Sequence, residues 1–190
     1  MVCEQGLRII QQRRSVRTLD PDRQISDETL GDLIRTIENS PSAHNKQLFH
    51  FTIVQDKGLL DDMAEAIRQV MLDGTQDQIE KASRPGYSPL HHAPTIIMIS
   101  GDIKSGFNVQ TDCGIAAGLI IAAAENIGLS TCFTGSSVFM FRGEEGEALK
   151  KRLEIPEGYQ AVGAVALGYN ANETKPAVPE HKVGTVTILR

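Results

Sequence analysis

Arginine side chains are concentrated in one short segment near the start of this 190-residue chain. Arg13, Arg14, Ser15 and Arg17 place three guanidinium groups and one hydroxyl group within five residues. Because a guanidinium group pairs bidentately with phosphate oxygens, this cluster suits a ligand that carries a phosphate monoester. A solvated helix end would use the same residues, since cations also favour the negative end of the helix dipole. On composition alone, the helix-end interpretation is the commoner of the two.

Two further segments have side chains that suit a planar ligand. The loop from Pro41 to Gln47 carries amide groups at Asn45 and Gln47, which can read the N–H and C=O edge of a heterocycle. A loop stabilised by Asx turns has the same composition. The segment from Gly128 to Ser137 is rich in small residues, which allow a flat ligand to approach the backbone, although a simple turn would also use them.

Familiar catalytic and metal-binding patterns are absent from the sequence. It contains no glycine-rich phosphate loop, no G-x-S-x-G and no H-E-x-x-H. Cys3, Cys113 and Cys132 are odd in number and lack C-x-x-C spacing, which excludes a paired disulfide framework and a thiolate metal site. The neighbouring residues His91 and His92 point in different directions, so no metal site is predicted there either.

Composition restricts the class of protein. The net charge of −5 argues against nonspecific binding to nucleic acid, and 41% hydrophobic residues predict a soluble globule, which we expect to be one domain over residues 1–190. The longest nearly apolar run, from Gly114 to Ala124, is too short to cross a bilayer. No signal peptide is visible, so we expect a reduced, cytoplasmic protein.

Hydrophobic periodicity predicts an α+β fold in which helices pack on a central sheet. Ser26 is a predicted helix cap, Asp112 is predicted to cap the long helix over 112–127, and residues 73–92 are predicted to form a surface excursion or lid. The long helix is apolar on nearly all sides and must therefore be buried in the chain or in a subunit interface. The other predicted helices cover residues 3–13, 26–37, 59–71 and 144–153, and the predicted strands cover 49–53, 95–99, 161–167 and the tail 183–189.

Taken together and in this order, the segments resemble the FMN-dependent nitroreductases over nearly the whole chain. The shared motifs are R-R-S-x-R at 13–17, P-S-x-x-N-x-Q at 41–47, A-P before an apolar strand at 93–97, an apolar helix leading into G-L-S-T-C at 112–132, and L-G-Y at 167–169. The first two motifs, about thirty residues apart, are the specific part. The chain departs from the family in reading Gln47-Leu48-Phe49 instead of Gln-Pro-Trp, and in having Ala43 after Ser42.

The resemblance implies a central mixed β-sheet flanked by helices, in an intertwined homodimer with two flavins at the interface. Arg13, Ser15 and Arg17 would hold the FMN phosphate and the pyrimidine side of the ring, with backbone contacts from Arg14. The loop from Pro41 would reach the flavin of the partner subunit. The remaining implied contacts are Ser42, Asn45 and Gln47 in that loop, Thr134, Gly135 and Ser136 near the ring, and Lys182 at the phosphate, with His181 and Lys175 as alternatives.

The implied activity is that of an FMN-dependent oxidoreductase. NAD(P)H would reduce the flavin, and an electron-poor small molecule such as a nitroaromatic, a quinone or an enone would reoxidise it. No protein side chain needs to act as acid, base or nucleophile, because the flavin performs the redox step. Two alternatives stay open: a flavin store or redox sensor without turnover, and a specialised flavin-dependent dehydrogenase or dehalogenase. The sequence gives no preference between NADH and NADPH.

Overall fold

Four strands form one antiparallel sheet in the order β1-β2-β4-β3. The computed structural model describes residues 4–180 and 185–189. The strands are β1 (Phe49–Val54), β2 (Thr95–Gly101), β3 (Ser130–Thr134) and β4 (Gln160–Gly168). Parallel pairing within the described residues is confined to a bridge between Ser15 and Thr131. The predicted α+β class is confirmed.

The central strand β2 is buried along its whole length because helices cover both faces of the sheet. Ile96 and Met98 point into one core, and Ile97 and Ile99 point into the other. This alternation follows from the period of two along a strand. The prediction that the apolar run at 95–99 forms a strand covered on both faces is therefore confirmed.

Helices α2 and α5 cover one face of the sheet, and α3 covers the other face together with a 3₁₀ segment at Gly135–Phe141. The helices are α1 (Glu4–Gln12), α2 (Asp27–Glu38), α3 (Lys57–Leu72), α4 (Gln76–Ala82), α5 (Val109–Asn126) and α6 (Gly146–Arg152). The Ser26 side chain accepts a hydrogen bond from the Thr29 N–H (3.3 Å), so the predicted cap of α2 is confirmed. None of the helices in the described part of the chain has the length and apolar character needed to span a membrane.

The segment 73–92 packs more closely than the sequence suggested. Helix α4 begins with a capping box between Thr75 and Gln78, and the Arg68 Nε–H donates to the Ala82 carbonyl (3.3 Å). Ala82 and Leu90 are buried in the core beneath α3. The prediction that residues 73–92 form a surface excursion is therefore wrong around Ala82 and Leu90, because these two side chains are part of the hydrophobic core.

Helix α5 is buried on one side only. Cys113, Ile120 and their neighbours face the sheet, whereas Ile115 and Leu119 lie on the opposite side with exposed fractions of 44% and 38%. The described part of the chain therefore does not bury this helix all round, and of the two predicted locations a subunit interface is the one that would complete the burial. The predicted tail strand begins outside the described residues, and residues 185–189 do not form a strand in the single chain.

We predict that Ile67→Ala lowers the free energy of unfolding by about 2–4 kcal/mol, because Ile67 is fully buried on α3 and its removal leaves a cavity. Lys57→Ala on the same helix is the matched control, since its side chain is 87% exposed, and its effect should stay within about 0.5 kcal/mol. Urea unfolding of both variants measures the difference. Equal losses for the two variants would contradict this assignment of the core.

Candidate functional site

The arginine cluster lines a groove at the end of α1. The cavity has a volume of about 610 Å³. It is lined by Ile10, Gln11, Arg13, Arg14, Ser15, Arg17, Pro176, Ala177 and Pro179. A second cavity of about 340 Å³ shares Ile10, Arg13 and Ser15 with the first and is otherwise lined by Gly118, Ile121, Ala122, Thr131 and Phe133. The two cavities therefore form one groove with a cationic part and a mainly apolar part.

Backbone pairing with the sheet fixes the direction of the cluster's side chains. The Val16 N–H donates to the Thr131 carbonyl (2.9 Å), and the Val16 side chain is buried. Because side chains alternate along an extended segment, burial of Val16 sends Ser15 and Arg17 to the other side, into the groove. Pairing with the sheet therefore directs the side chains of Ser15 and Arg17 into the same cavity.

The three arginines have different local roles. The Arg14 guanidinium donates to the carbonyls of Gln11 (3.0 Å) and Arg13 (2.6 Å), so it satisfies free acceptors at the end of α1. For Arg14, the helix-end interpretation therefore holds. Within the described residues, no protein acceptor binds the guanidinium groups of Arg13 or Arg17. These two cations remain available to a ligand.

The residues expected after β4 are only partly described. The Lys175 ammonium forms an ion pair with the Glu125 carboxylate, whose side chain is almost completely buried at the end of α5. Lys175 is thereby engaged with a carboxylate of its own chain. His181 and Lys182 lie outside the described residues, but the segment 176–179 that precedes them lines the groove.

The end of β3 adds a wall to the apolar part of the groove. The Phe133 ring is 43% exposed and lies across Gly163, where a Cβ atom would come within 2.5 Å of the ring. The hydroxyl groups of Thr131 and Thr134 are buried and have no hydrogen-bond partner among the described residues. Since buried polar groups are normally paired, the Thr131 hydroxyl, which lines the groove, suits a bound ligand or water. Thr134 lies on the opposite face of β3 and lines neither cavity. Thr134, Gly135 and Ser136 follow at the same end of the strand.

The loop 41–47 has a strained backbone. His44, Asn45 and Gln47 have φ values of 52°, 54° and 50°, in the left-handed region that residues with a side chain rarely adopt. The Gln47 N–H donates to the Ser42 hydroxyl (2.8 Å), which closes the turn. Pro41 precedes this turn and is exposed.

Asp112 holds the loop to α5. Its Oδ2 accepts a hydrogen bond from the Ala43 N–H (3.0 Å), and the side chain is buried. The prediction that Asp112 caps the helix is wrong, because α5 begins at Val109 and Asp112 lies within its first turn. An acidic residue at that position suits the helix dipole, and here it also makes a tertiary contact.

The two predicted motifs contact different parts of α5, the loop near its first turn and the groove from its middle onward. Loop 41–47 is attached at Asp112, whereas the arginine groove contacts Gly118 and Ala122. At a rise of 1.5 Å per residue, Asp112 and Ala122 are separated by about 15 Å along the helix. One chain therefore brings Arg13, Ser15 and Arg17 together with the end of β3, but it does not bring them together with the loop.

Burial keeps three titratable groups near the site uncharged. Burial, assisted by the Asp112 carboxylate, raises the pKa of the Cys113 thiol to about 11. Burial also raises the pKa of Cys132. The pKa of His91 falls to about 4, first because of burial and then because of the neighbouring Arg17 and His92 cations. These thiols are not activated nucleophiles at neutral pH.

Sequence reasoning missed part of the groove. Ile10, Gly118, Ile121 and Ala122 line it without belonging to any segment that was predicted to contact a ligand. Thr131 and Phe133 lie in the predicted segment 128–137, but they were not among its implied contacts. The pairing of Ser15 with Thr131 explains this, because only the tertiary fold brings β3 beside the first motif. In the sequence, a large aromatic residue at position 133 within a segment of mostly small residues was the feature that could have pointed to this wall of the groove.

Comparison with known proteins gives consistent results. The sequence model of the nitroreductase family matches residues 10–169. A protein of Archaeoglobus fulgidus named as an NADH dehydrogenase/NAD(P)H nitroreductase is 33% identical over 175 residues, covering 90% of this chain and 88% of the relative.

Two crystal structures of nitroreductases with bound FMN have the same fold. The protein from Bacteroides fragilis is 28% identical with a TM-score of 0.88, over 97% of this chain and 98% of the other. The protein from Desulfitobacterium hafniense is 28% identical with a TM-score of 0.86, and the match covers 100% of both chains.

We predict that Asp112→Ala destabilises the protein by about 1–3 kcal/mol, because it removes the acceptor of the Ala43 N–H. Asp112→Asn is the matched variant, since its side-chain oxygen can still accept this hydrogen bond, and it should retain most of the stability. Hydrogen exchange at the Ala43 amide should be accelerated in the alanine variant only. If the Ala43 amide exchanged at the wild-type rate in both variants, and both unfolded at the wild-type free energy, the Asp112–Ala43 hydrogen bond would not contribute to stability.

Proposed function

The chain belongs to the nitroreductase family, and from this membership we propose that it is an FMN-dependent oxidoreductase that uses NAD(P)H as electron donor. The observation that carries the proposal is the groove, which has apolar walls at one part and, at the other, two arginines without a protein acceptor among the described residues. Its chemistry matches a flat ring system joined to a single phosphate. When bound, FMN supplies the redox chemistry by accepting two electrons from the nicotinamide and passing them to the acceptor.

Arg13 and Arg17 hold the phosphate and the polar edge of the flavin in this proposal. Neither guanidinium group has an acceptor within residues 4–180 and 185–189, so both can make charge-assisted hydrogen bonds to a ligand, and Ser15 adds a hydroxyl group between them in sequence. Lys182 follows the segment that lines the groove and is the proposed further cation. Positive charge at this site also favours the reduced flavin, which carries more negative charge than the oxidised form.

The wall of the groove opposite the arginines accommodates the ring. Phe133 and Ile121 offer apolar surface, and Gly118 leaves room for a close approach. The backbone and side chains of Thr134, Gly135 and Ser136 are the proposed contacts at the reactive edge of the flavin. With Cys132 and His91 uncharged, the chain contributes binding, orientation and electrostatics rather than an acid or a nucleophile.

We propose that the site is completed by a second copy of the chain. Loop 41–47 lines neither cavity of the arginine groove in its own chain, so Pro41, Ser42, Asn45 and Gln47 would serve the flavin of the partner subunit. The exposed apolar side of α5 supports a homodimer, because Ile115 and Leu119 need cover and Gly114 and Gly118 allow close helix approach. The tail is apolar and exposed at Val186 and Ile188, and it would pair with the partner as well.

One experiment separates this function from that of a flavin store or redox sensor. The purified protein is analysed for FMN by chromatography after heat release, and it is then mixed anaerobically with NADH or NADPH in a stopped-flow instrument. Rapid bleaching of the flavin, followed by reoxidation with a nitroaromatic or a quinone, supports the proposed reductase. Stable yellow protein that neither nucleotide reduces over minutes indicates a flavin store or sensor. Stoichiometric FAD would contradict the single-phosphate site.

We predict that Arg17→Ala lowers the affinity for FMN by about tenfold to over a hundredfold, because a charge-assisted contact to the phosphate is lost. Lysine at this position should restore part of the affinity, since an ammonium cannot reproduce the planar guanidinium. Arg84→Ala, an exposed arginine outside the groove, is the control. FMN titration and thermal melting are measured on the same preparations. Unchanged affinity with a small loss of stability would place the phosphate elsewhere.

We predict that Leu119→Glu converts the dimer into a monomer and releases FMN. The substitution puts a charge into each half of a proposed apolar interface, where it has no partner. Ser83→Glu adds the same charge at the exposed end of α4 and should leave the mass and flavin content unchanged. Light scattering with simultaneous flavin absorbance measures both. A wild-type monomer that still holds FMN would exclude the shared site.

A further inference from the structure

We propose that Phe107, His44 and Lys46, called here the Phe107 cluster, form an acceptor-binding surface that selects planar aromatic acceptors carrying an anionic group. This inference rests on the proposed function, because it takes loop 41–47 to lie beside the flavin of the partner subunit. It goes further in naming the charge class of the acceptor and the residues that distinguish it.

The Phe107 cluster is an exposed aromatic ring with two basic side chains beside it. The Phe107 ring is 39% exposed, and the His44 ring meets it edge-on at 6.1 Å with an interplanar angle of 74°. The Lys46 ammonium lies 5.8 Å from the centre of the same ring. The exposed part of the Phe107 ring is a flat apolar surface, which suits the stacking of a planar ligand.

The backbone holds the two segments of the cluster together. The Ala43 N–H is bound to Asp112, and the Asp102 N–H donates to the Leu48 carbonyl (3.0 Å). Loop 41–47 and the segment that carries Phe107 are thus attached to each other on both sides. The left-handed backbone at His44 adds a tight turn at this point. The cluster is therefore built into the fold rather than formed by three independent surface residues.

The charge of the cluster is opposite to that of the whole chain. The net charge of the chain is −5, whereas the two segments 41–48 and 102–112 carry two lysines, Lys46 and Lys104, against two carboxylates and are neutral overall with His44 uncharged. Their carboxylates are those of Asp102 and Asp112, and Asp112 is buried and accepts the Ala43 N–H. The cation beside the ring is Lys46. An anionic ligand approaching this acidic protein would therefore find favourable charge at the Phe107 cluster. A ring that stacks on Phe107 can place a carboxylate or a sulfonate near the Lys46 ammonium.

The experiment compares two acceptors of similar shape and different charge, 4-nitrobenzoate and 4-nitrobenzamide. The enzyme with bound FMN is reduced first, and the rate constant of its reoxidation by each compound is then measured anaerobically. Taking the ratio of the two rate constants, and comparing that ratio between variants, cancels the intrinsic reactivity of the nitro groups. The reduction of the flavin by NADH and NADPH is measured separately, because the anionic nucleotide is the other possible ligand of Lys46.

We predict that Lys46→Gln lowers the preference for 4-nitrobenzoate by about two- to fivefold, the range of a solvent-exposed ion pair, and that Lys46→Glu lowers it further. Added salt should weaken the preference of the wild type. Phe107→Leu should slow the reoxidation by both compounds while leaving their ratio unchanged. Lys57→Gln removes a lysine that is 87% exposed on α3 and serves as the charge control.

The outcomes separate the two proposals. If the enzyme is active and the ratio of the two reoxidation rate constants is the same in the wild type, Lys46→Gln and Lys46→Glu, the inference is overturned and the proposed function stands. The same holds if the Lys46 variants change only the reduction of the flavin by NADH or NADPH. Wild-type protein that binds no FMN, or whose reduced FMN no acceptor reoxidises, contradicts the proposed function and removes this inference with it. Lys46 is exposed, so its variants should fold normally, and melting curves check this.

Discussion

Helix α5 has two apolar sides, and the residues that the structure describes cover only one of them. The side with Ile120 is packed against the sheet, and the side with Ile115 and Leu119 is exposed. Both halves of the candidate site are attached to this helix: Asp112 binds the loop at one end, and Gly118 lines the arginine groove farther along. The position of α5 on the sheet therefore determines where each half lies. Covering its exposed side with a second chain is the arrangement that would also complete the site.

The arginine cluster shows how backbone pairing can separate residues of one type into different roles. Extension of the chain beside β3 buries Val16 and turns Arg17 outward, while Arg14 stays at the helix end and satisfies its carbonyls. The Arg14 guanidinium already donates to protein carbonyls, so fewer of its N–H groups are available to a phosphate. Arg13 and Arg17 lack such partners among the described residues, which makes them the better candidates although all three arginines look equivalent in sequence.

Local signals predicted the parts of the fold that depend on local physics. Ser26 starts a helix because its hydroxyl reaches a free amide three residues later, and the apolar run at 95–99 becomes a buried strand. The sequence did not predict β3, because a strand of five residues between glycines resembles a turn. Asp112 was misassigned for a related reason: an acidic residue in a first turn is compatible with a cap, and only the fold brings Ala43 to it. The positions of Phe107 and Phe133 likewise depend on contacts between distant segments.

The backbone of loop 41–47 bears on how the two halves of the candidate site, this loop and the arginine groove, can each take shape within its own chain. Left-handed conformations at His44, Asn45 and Gln47 each cost on the order of 1–3 kcal/mol, and such conformations persist only where surrounding contacts impose them. The Ser42 hydroxyl and the Asp112 carboxylate supply such contacts within one chain. The loop is thus shaped before any partner or ligand arrives, so less conformational entropy is lost when it binds. A preformed loop on one subunit and a preformed arginine groove on the other would leave assembly to bring them together, and FMN bound between them would stabilise the dimer by mass action.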